Sequence, residues 1–299
     1  MIRPANFARF SETVADNSFQ EPVADERIDG IGQRAVTEFD RFLEQLREAG
    51  VTVTVFDDTP SPVKPDAVFP NNWFSTHEGG LLITYPTYWP QRRLERRQDI
   101  VERLREQFTI NQHIDLSDWE QRERYLESTG CLLLDRQARI AYACISQRCS
   151  VEAAHEWCEI MDYKPITFHG YDLRGEVIYH TNVMMALGTT HALVCLDAIT
   201  DAAEKSKVTE SLILSGKQIV GLSLEQVDRF AGNALEVATA QGPLWVMSTS
   251  AFNSLSEEQR AALVSPPGTR ILHCDLSTIE RYGGGSARCM LGELFLNES

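Results

Sequence analysis

Cys289 ends the run Gly283-Gly284-Gly285-Ser286-Ala287-Arg288. A thiol at its ordinary pKa of about 8.5 is mostly protonated at neutral pH, so it attacks carbon only where its surroundings favour the thiolate. Three successive glycines let the main chain approach a ligand and turn N–H groups toward a developing negative charge. A lone cysteine is usually inert core packing, but this glycine approach favours a nucleophile. His180, in Tyr179-His180-Thr181-Asn182-Val183-Met184-Met185, supplies an imidazole that titrates near working pH and suits proton transfer. Glu127, in Leu126-Glu127-Ser128-Thr129-Gly130, would orient that imidazole or hydrogen-bond substrate nitrogens. Asn72, in Pro70-Asn71-Asn72-Trp73-Phe74, and Asn233, in Gly232-Asn233-Ala234-Leu235, complete the set. Polar groups against apolar strands cost free energy unless paired, so each needs a reason to be there.

Spacing supplies one. Asn72, Glu127, His180, Asn233 and Cys289 follow one another at intervals of 55, 53, 53 and 56 residues. The elements that would carry them repeat at a similar period. Amphipathic helices are expected to start near residues 34, 92, 150, 201 and 256, at separations of 58, 58, 51 and 55. Phe39, Phe42, Leu43 and Leu46 share one face of the first, and Gly50 stops it. Ser150 is the expected N-cap of the third. Ser256-Glu257-Glu258-Gln259 reads as a capping box for the fifth. Strands are expected at 51–56, 81–85, 132–134, 140–145, 178–186, 192–196, 218–222, 244–249 and 270–276. One helix with several strands, five times over, implies stacked or radially arranged α/β units. No Pro/Gly/Ser-rich linker divides the chain, so residues 1–299 are expected to form a single domain.

The formal net charge of −15 argues against a nucleic-acid backbone or an anionic membrane surface as partner. A small cationic or zwitterionic substrate fits that balance better. The opening residues show no apolar leader, and no apolar run reaches the roughly 18 residues that span a bilayer. Seven cysteines without a C-x-x-C pair read as reduced thiols of a cytoplasmic protein. The remaining histidines lack zinc-ligand spacing, and no G-x-G-x-x-G or phosphate loop is present, so neither metal nor cofactor is expected.

Taken together and in order, these motifs resemble the guanidino-group-modifying superfamily, the penteins. It includes arginine deiminases, amidinotransferases, dimethylarginine dimethylaminohydrolases and succinylarginine dihydrolases. The resemblance covers the chain from Pro65-Asp66-Ala67-Val68-Phe69 to Cys289 and implies a five-bladed α/β propeller with a central Cys, His and acidic site. The Gly-Gly-Gly-Ser-Ala-Arg-Cys end, His180-Thr181-Asn182 and Glu127-Ser128-Thr129-Gly130 resemble the corresponding segments of succinylarginine dihydrolases. The overall pattern resembles amidinotransferase-like citrulline ureidases.

One departure bears on substrate. Arginine deiminases are similar but carry aspartates where this chain has Asn72 and Asn182. A guanidinium offers only N–H donors and positive charge, which suit carboxylates at about 1.5–3 kcal/mol per charge-assisted bond. A neutral ureido group adds a carbonyl acceptor, which an Asn NH₂ satisfies and a carboxylate does not. The expected activity is therefore hydrolysis of citrulline to ornithine, ammonia and carbon dioxide through an S-carbamoyl intermediate. The alternative is an arginine deiminase or amidinotransferase on a guanidino substrate; a non-catalytic binding protein and a metallohydrolase rank below it. Asp66 is expected on the substrate's nitrogens, Asn72, Asn182 and Asn233 around the reacting group, and Arg281 on its carboxylate. A homo-oligomer is compatible with all of this.

Overall fold

The computed structural model describes residues 1–7, 17–20 and 30–299. Four three-stranded sheets repeat one plan: an antiparallel pair, then a third strand that joins in parallel after a helical crossover. The first sheet is Phe74–His77, Leu81–Thr84 and Gln112–Asp115, crossing through helix Gln98–Gln107. In the second, Leu132–Asp135, Ile140–Cys144 and Lys164–Phe168 are linked by helix Val151–Met161. Met185–Leu187, His191–Val194 and Gln218–Gly221 use helix Ala202–Leu214. Leu235–Thr239, Gly242–Ser248 and Arg270–Cys274 use helix Glu257–Leu263. A fifth sheet holds only the parallel pair Ile2–Arg3 and Phe56–Asp57, with helix Ile31–Glu48 between them in the chain. Among the described residues the fold is mixed α/β, its sheets small and none of them closed.

The helices form where local signals agree. Ile31, Ala35, Phe39, Phe42 and Leu46 make one buried stripe along the first. Burying side chains of that size stabilises by about 1.5–3 kcal/mol each. Ser256 accepts from the Gln259 N–H while Gln259 accepts from the Ser256 N–H, the reciprocal cap read from sequence. Ser150 stands at the N-cap position but makes no cap bond; its hydroxyl accepts from the Tyr125 N–H instead.

Other departures cluster near the site. The second helix starts at Gln98, because Pro90–Glu95 winds into a 3-10 helix that turns Arg92 and Glu95 inward as a buried ion pair. Of the strand expected over 51–56, only Phe56 is paired, since Ile2–Arg3 offers just two residues alongside. The stretch 178–186 is not one strand. Thr181–Met184 turns as a short helix, and pairing begins only at Met185.

That last feature recurs. Pro70–Asn72 is a helical turn before the first sheet, Ser128–Cys131 precedes the second, and Thr181–Met184 precedes the third. A turn through Phe230, at positive φ, precedes the fourth. The middle turn packs against both the Pro70–Asn72 and the Thr181–Met184 turns. Glu127 and His180 are the N-cap residues of their turns, so each side chain leaves the backbone where the chain enters a sheet.

Candidate active site

Cys289 and His180, 109 positions apart in the chain, line one narrow cavity together with Asp66, Asn72, Arg92 and Arg148. Its volume of about 10 Å³ is close to what one water molecule needs. A larger, mainly apolar cavity of about 660 Å³ lies between the 51–56, 237–239 and 291–295 segments, but neither Cys289 nor His180 reaches it. The chemistry therefore selects the narrow one.

His180 Nε2 lies 2.8 Å from Glu127 Oε2, and both side chains are buried. Burial alone would push the Glu127 carboxyl up; the Arg148 guanidinium, the His180 hydrogen bond and Arg92 outweigh it and hold the group down at about 2. Arg92 Nη1 stands 3.5 Å and Arg148 Nη1 3.8 Å from Glu127 Oε2. Glu127 Oε1 accepts from the Tyr88 N–H at 3.1 Å. For His180 burial works downward, but neighbouring Cys131 and the Glu127 bond leave the imidazole raised above its ordinary value. At neutral pH this side of the cavity holds an ionised Glu127 carboxylate against the His180 ring. Gly130 faces it, and any Cβ there would stand 2.5 Å from Asn72 Nδ2 and 2.9 Å from the His180 ring. A larger residue at 130 would displace the histidine.

The sulfur sits in different company. Asn233 Nδ2 donates to Cys289 Sγ at 3.2 Å, and Asn182 Nδ2 lies at 3.7 Å. Burial pushes the Cys289 thiol up; the Ser286 main chain, Asn233, Arg288 and Asn182 offset only part of that. Cys289 is thus a neutral thiol at rest. The glycine run that delivers it is tied down at Gly284, whose φ of +63° suits glycine and whose carbonyl accepts from the Tyr179 hydroxyl and from Asn17 Nδ2. Gln20 donates to the Gly283 carbonyl at 2.9 Å. Ser286 donates to the buried Glu280 carboxylate at 2.6 Å.

Of the residues singled out by sequence, Asp66, Asn72, His180 and Cys289 line the cavity, while Glu127, Asn182 and Asn233 stand behind His180 and Cys289. Asn72 Nδ2 is buried and has no hydrogen-bond partner among the described residues. Asp66 lies 3.7 Å from Arg92. Arg281 is not brought in: it is exposed, with its guanidinium 5.6 Å from the Tyr282 ring. Arg92 and Arg148 were the residues that sequence reasoning missed. Arg92 sits in a run of alternating charges that reads as a solvated helix face, and Arg148 in a short turn between Ser146 and Cys149. Their one signal was position, since each lies near the end of a strand pair. Among the described residues, no group of three or more His, Cys, Asp or Glu side chains converges as a metal site would.

Comparison with known proteins bears on the family and the fold. The family profile described as N,N dimethylarginine dimethylhydrolase, eukaryotic, matches residues 3–296. No curated protein is significantly similar in sequence. Among solved structures, the substrate-bound N-terminal domain of ArgZ, an arginine dihydrolase from the ornithine-ammonia cycle in cyanobacteria, superposes with a TM-score of 0.73. It is 18% identical over 97% of this chain and 95% of that domain. The match covers only 39% of the complete apo ArgZ chain. A dimethylarginine dimethylaminohydrolase adduct with S-methyl-L-thiocitrulline gives a TM-score of 0.62 at 13% identity, over 100% of this chain and 97% of that one. At such identities the likeness to these structures establishes a shared fold.

Proposed function

The chain belongs to the N,N dimethylarginine dimethylhydrolase family, and from that premise we propose that it is a thiol hydrolase breaking a C–N bond in the ureido or guanidino group of a small amino acid, citrulline first among them. The observation that carries the reading is the convergence of Cys289 and His180 on one cavity, with Glu127 fixed on the imidazole. We take the five α/β units to be arranged radially about this cavity, each delivering one polar residue. The seven free, buried cysteines suit a reducing, cytoplasmic setting.

The reaction follows from the parts. His180 takes the thiol proton of Cys289 as the sulfur attacks the ureido carbon, giving a tetrahedral adduct. Imidazolium His180 donates a proton to the departing δ-amine, and ornithine leaves an S-carbamoyl thioester behind. Neutral His180 then takes a proton from water as the water attacks. Carbamate departs, Cys289 is restored, and carbamate breaks down to ammonia and carbon dioxide. Glu127 holds the ring in place and stabilises the imidazolium through both steps.

Substrate recognition is assigned by charge. Arg148, with Arg92 beside it, receives the α-carboxylate, and Asp66 the α-amino group or ureido nitrogens. This gives Arg148 the role that sequence had suggested for Arg281. The unpartnered Asn72 N–H₂ favours a ureido carbonyl. A second reading, a guanidino substrate acted on by an arginine deiminase- or amidinotransferase-like enzyme, draws support from the matching family, named for dimethylarginine, and from ArgZ, described as an arginine dihydrolase. Purified protein incubated separately with citrulline, arginine and dimethylarginine decides between them. Ornithine and ammonia from citrulline alone support the ureido reading. Turnover of arginine or dimethylarginine without turnover of citrulline overturns it.

A further inference from the structure

Asn233 carries more hydrogen bonds than a residue reserved for substrate has to spare. Its Oδ1 accepts from two consecutive main-chain N–H groups, Arg288 at 3.0 Å and Cys289 at 3.4 Å. Its Nδ2 donates to the Asn182 carbonyl at 2.9 Å and to Cys289 Sγ at 3.2 Å. The side chain is fully buried.

These partners fix the orientation of the amide. Turned over, its NH₂ would face two N–H donors and its oxygen would face the Asn182 carbonyl, losing three of the four contacts and keeping at most one from the Cys289 S–H. With Oδ1 necessarily on the main-chain side, Nδ2 is necessarily on the sulfur side. A primary amide has two N–H donors and one oxygen with two lone pairs, and here all are in use within the protein.

We propose that Asn233 is a positioning residue for the nucleophile: its oxygen clamps the turn that carries Cys289, and its N–H₂ holds the sulfur in the thiolate form during attack. The assignment rests on Cys289 being the nucleophile and deepens that reading. An aspartate of the same shape keeps the clamp, because a carboxylate oxygen accepts the same two N–H groups. It removes the donor and sets negative charge beside sulfur, so it separates clamping from thiolate stabilisation.

The test is an ultraviolet titration of the Cys289 thiol, without substrate, as the absorbance difference between each variant and the same variant carrying Cys289→Ser. In Asn233→Asp the midpoint moves up by about one to two pH units relative to the native thiol, the loss expected for one hydrogen bond to a charged group. On whichever substrate is turned over, kcat near neutral pH falls about 10- to 100-fold, KM holds, and kcat recovers as pH rises. Should Asn233→Asp fail to fold, Asn233→Ala is titrated in the same way, and its midpoint rises as well. An unmoved midpoint in the folded variant overturns the proposal, as does a raised KM with unchanged kcat, which would make Asn233 a substrate contact. Because the titration needs no substrate, a moved midpoint with no turnover would count against the proposed reaction and leave the Asn233 assignment standing.

Discussion

The two walls of the cavity are built on opposite electrostatic plans. Around His180 the neighbours are ionic: Glu127, Arg92 and Arg148, all buried, with both guanidinium groups within 4 Å of the Glu127 carboxylate. Around Cys289 they are the neutral amides of Asn182 and Asn233. The charged wall keeps Glu127 ionised before any ligand arrives, because low dielectric strengthens its pairing with the two guanidinium groups. The amide wall leaves the sulfur protonated at rest and offers N–H groups that gain value only once charge appears on it. One wall is charged in advance and the other waits for the reaction. The same contrast predicts that damage to the charged wall costs stability and turnover together, whereas damage to the sulfur costs turnover alone.

Replacing Cys289 with Ser gives the largest effect. Turnover should fall by about 10⁴-fold or more, with a thermal unfolding midpoint within a few degrees of native, since the change is small and the amides remain hydrogen-bonded. Residual activity near the native level would break the comparison at its first step. Glu127→Gln should cost about 10²- to 10³-fold in kcat, because the imidazolium loses its counter-ion. It also leaves Arg148 and Arg92 short of a partner, at about 3–5 kcal/mol in denaturant unfolding. The sign of the pH dependence follows from the lowered Glu127 carboxyl. A group held at about 2 adds stability above the ordinary carboxylate range and loses it as pH falls toward 2. The difference between native and Glu127→Gln should therefore shrink on acidification through that window. A constant difference would mean that the carboxylate charge is not what stabilises this wall.

Arg148→Lys is a finer probe. Lysine keeps the positive charge near Glu127 but loses the planar fork that suits a carboxylate. KM should rise about 10- to 100-fold with a smaller change in kcat, the loss of one or two charge-assisted bonds. If kcat falls and KM does not, Arg148 serves Glu127 alone and the substrate carboxylate binds elsewhere.

The two walls were not equally legible in the sequence. Cys289, His180 and Glu127 stand out because a glycine run precedes the first and the others are lone polar residues within apolar stretches, a pattern that shows in one dimension. The helical crossovers show too, since an apolar stripe as in Ile31–Glu48 is a local property. Arg92 and Arg148 do not show, because their burial depends on a 3-10 turn and on contacts with Glu127, tens of residues away in the chain. Arg281 is the converse: it lies two positions before the glycines, yet its helix, Ser277–Gly283, points it at solvent. Strands Phe74–His77, Gln112–Asp115, Lys164–Phe168 and Leu235–Thr239 are not among those the sequence leads one to expect, because pairing with a neighbour holds them and not their own pattern. The Asn233 clamp was equally hidden, since its acceptors are main-chain groups of Arg288 and Cys289.

The amide wall does contain one charge behind it, and this gives the smallest of the expected effects. Glu280 is buried and accepts from Ser286 in the nucleophile loop; burial, against the opposing hydrogen bonds of Ser248 and Ser286 and with Glu38 and Asp275 nearby, raises its carboxyl to about 7. A carboxyl raised in this way binds its proton more tightly folded than unfolded. The protein is therefore relatively more stable below the ordinary carboxylate pKa, and stability is lost as pH climbs through about 7. Glu280→Gln preserves an acceptor for Ser286 and carries no charge at any pH. Its unfolding free energy should exceed that of the native protein by about 1–3 kcal/mol at pH 8 and by much less at pH 5. Turnover should change by less than about tenfold, because the Ser286 bond survives and the sulfur's own amides are untouched. Equal destabilisation at both pH values would show that Glu280 works through its hydrogen bond and not its ionisation, and the wall behind Cys289 would then be neutral throughout the working range.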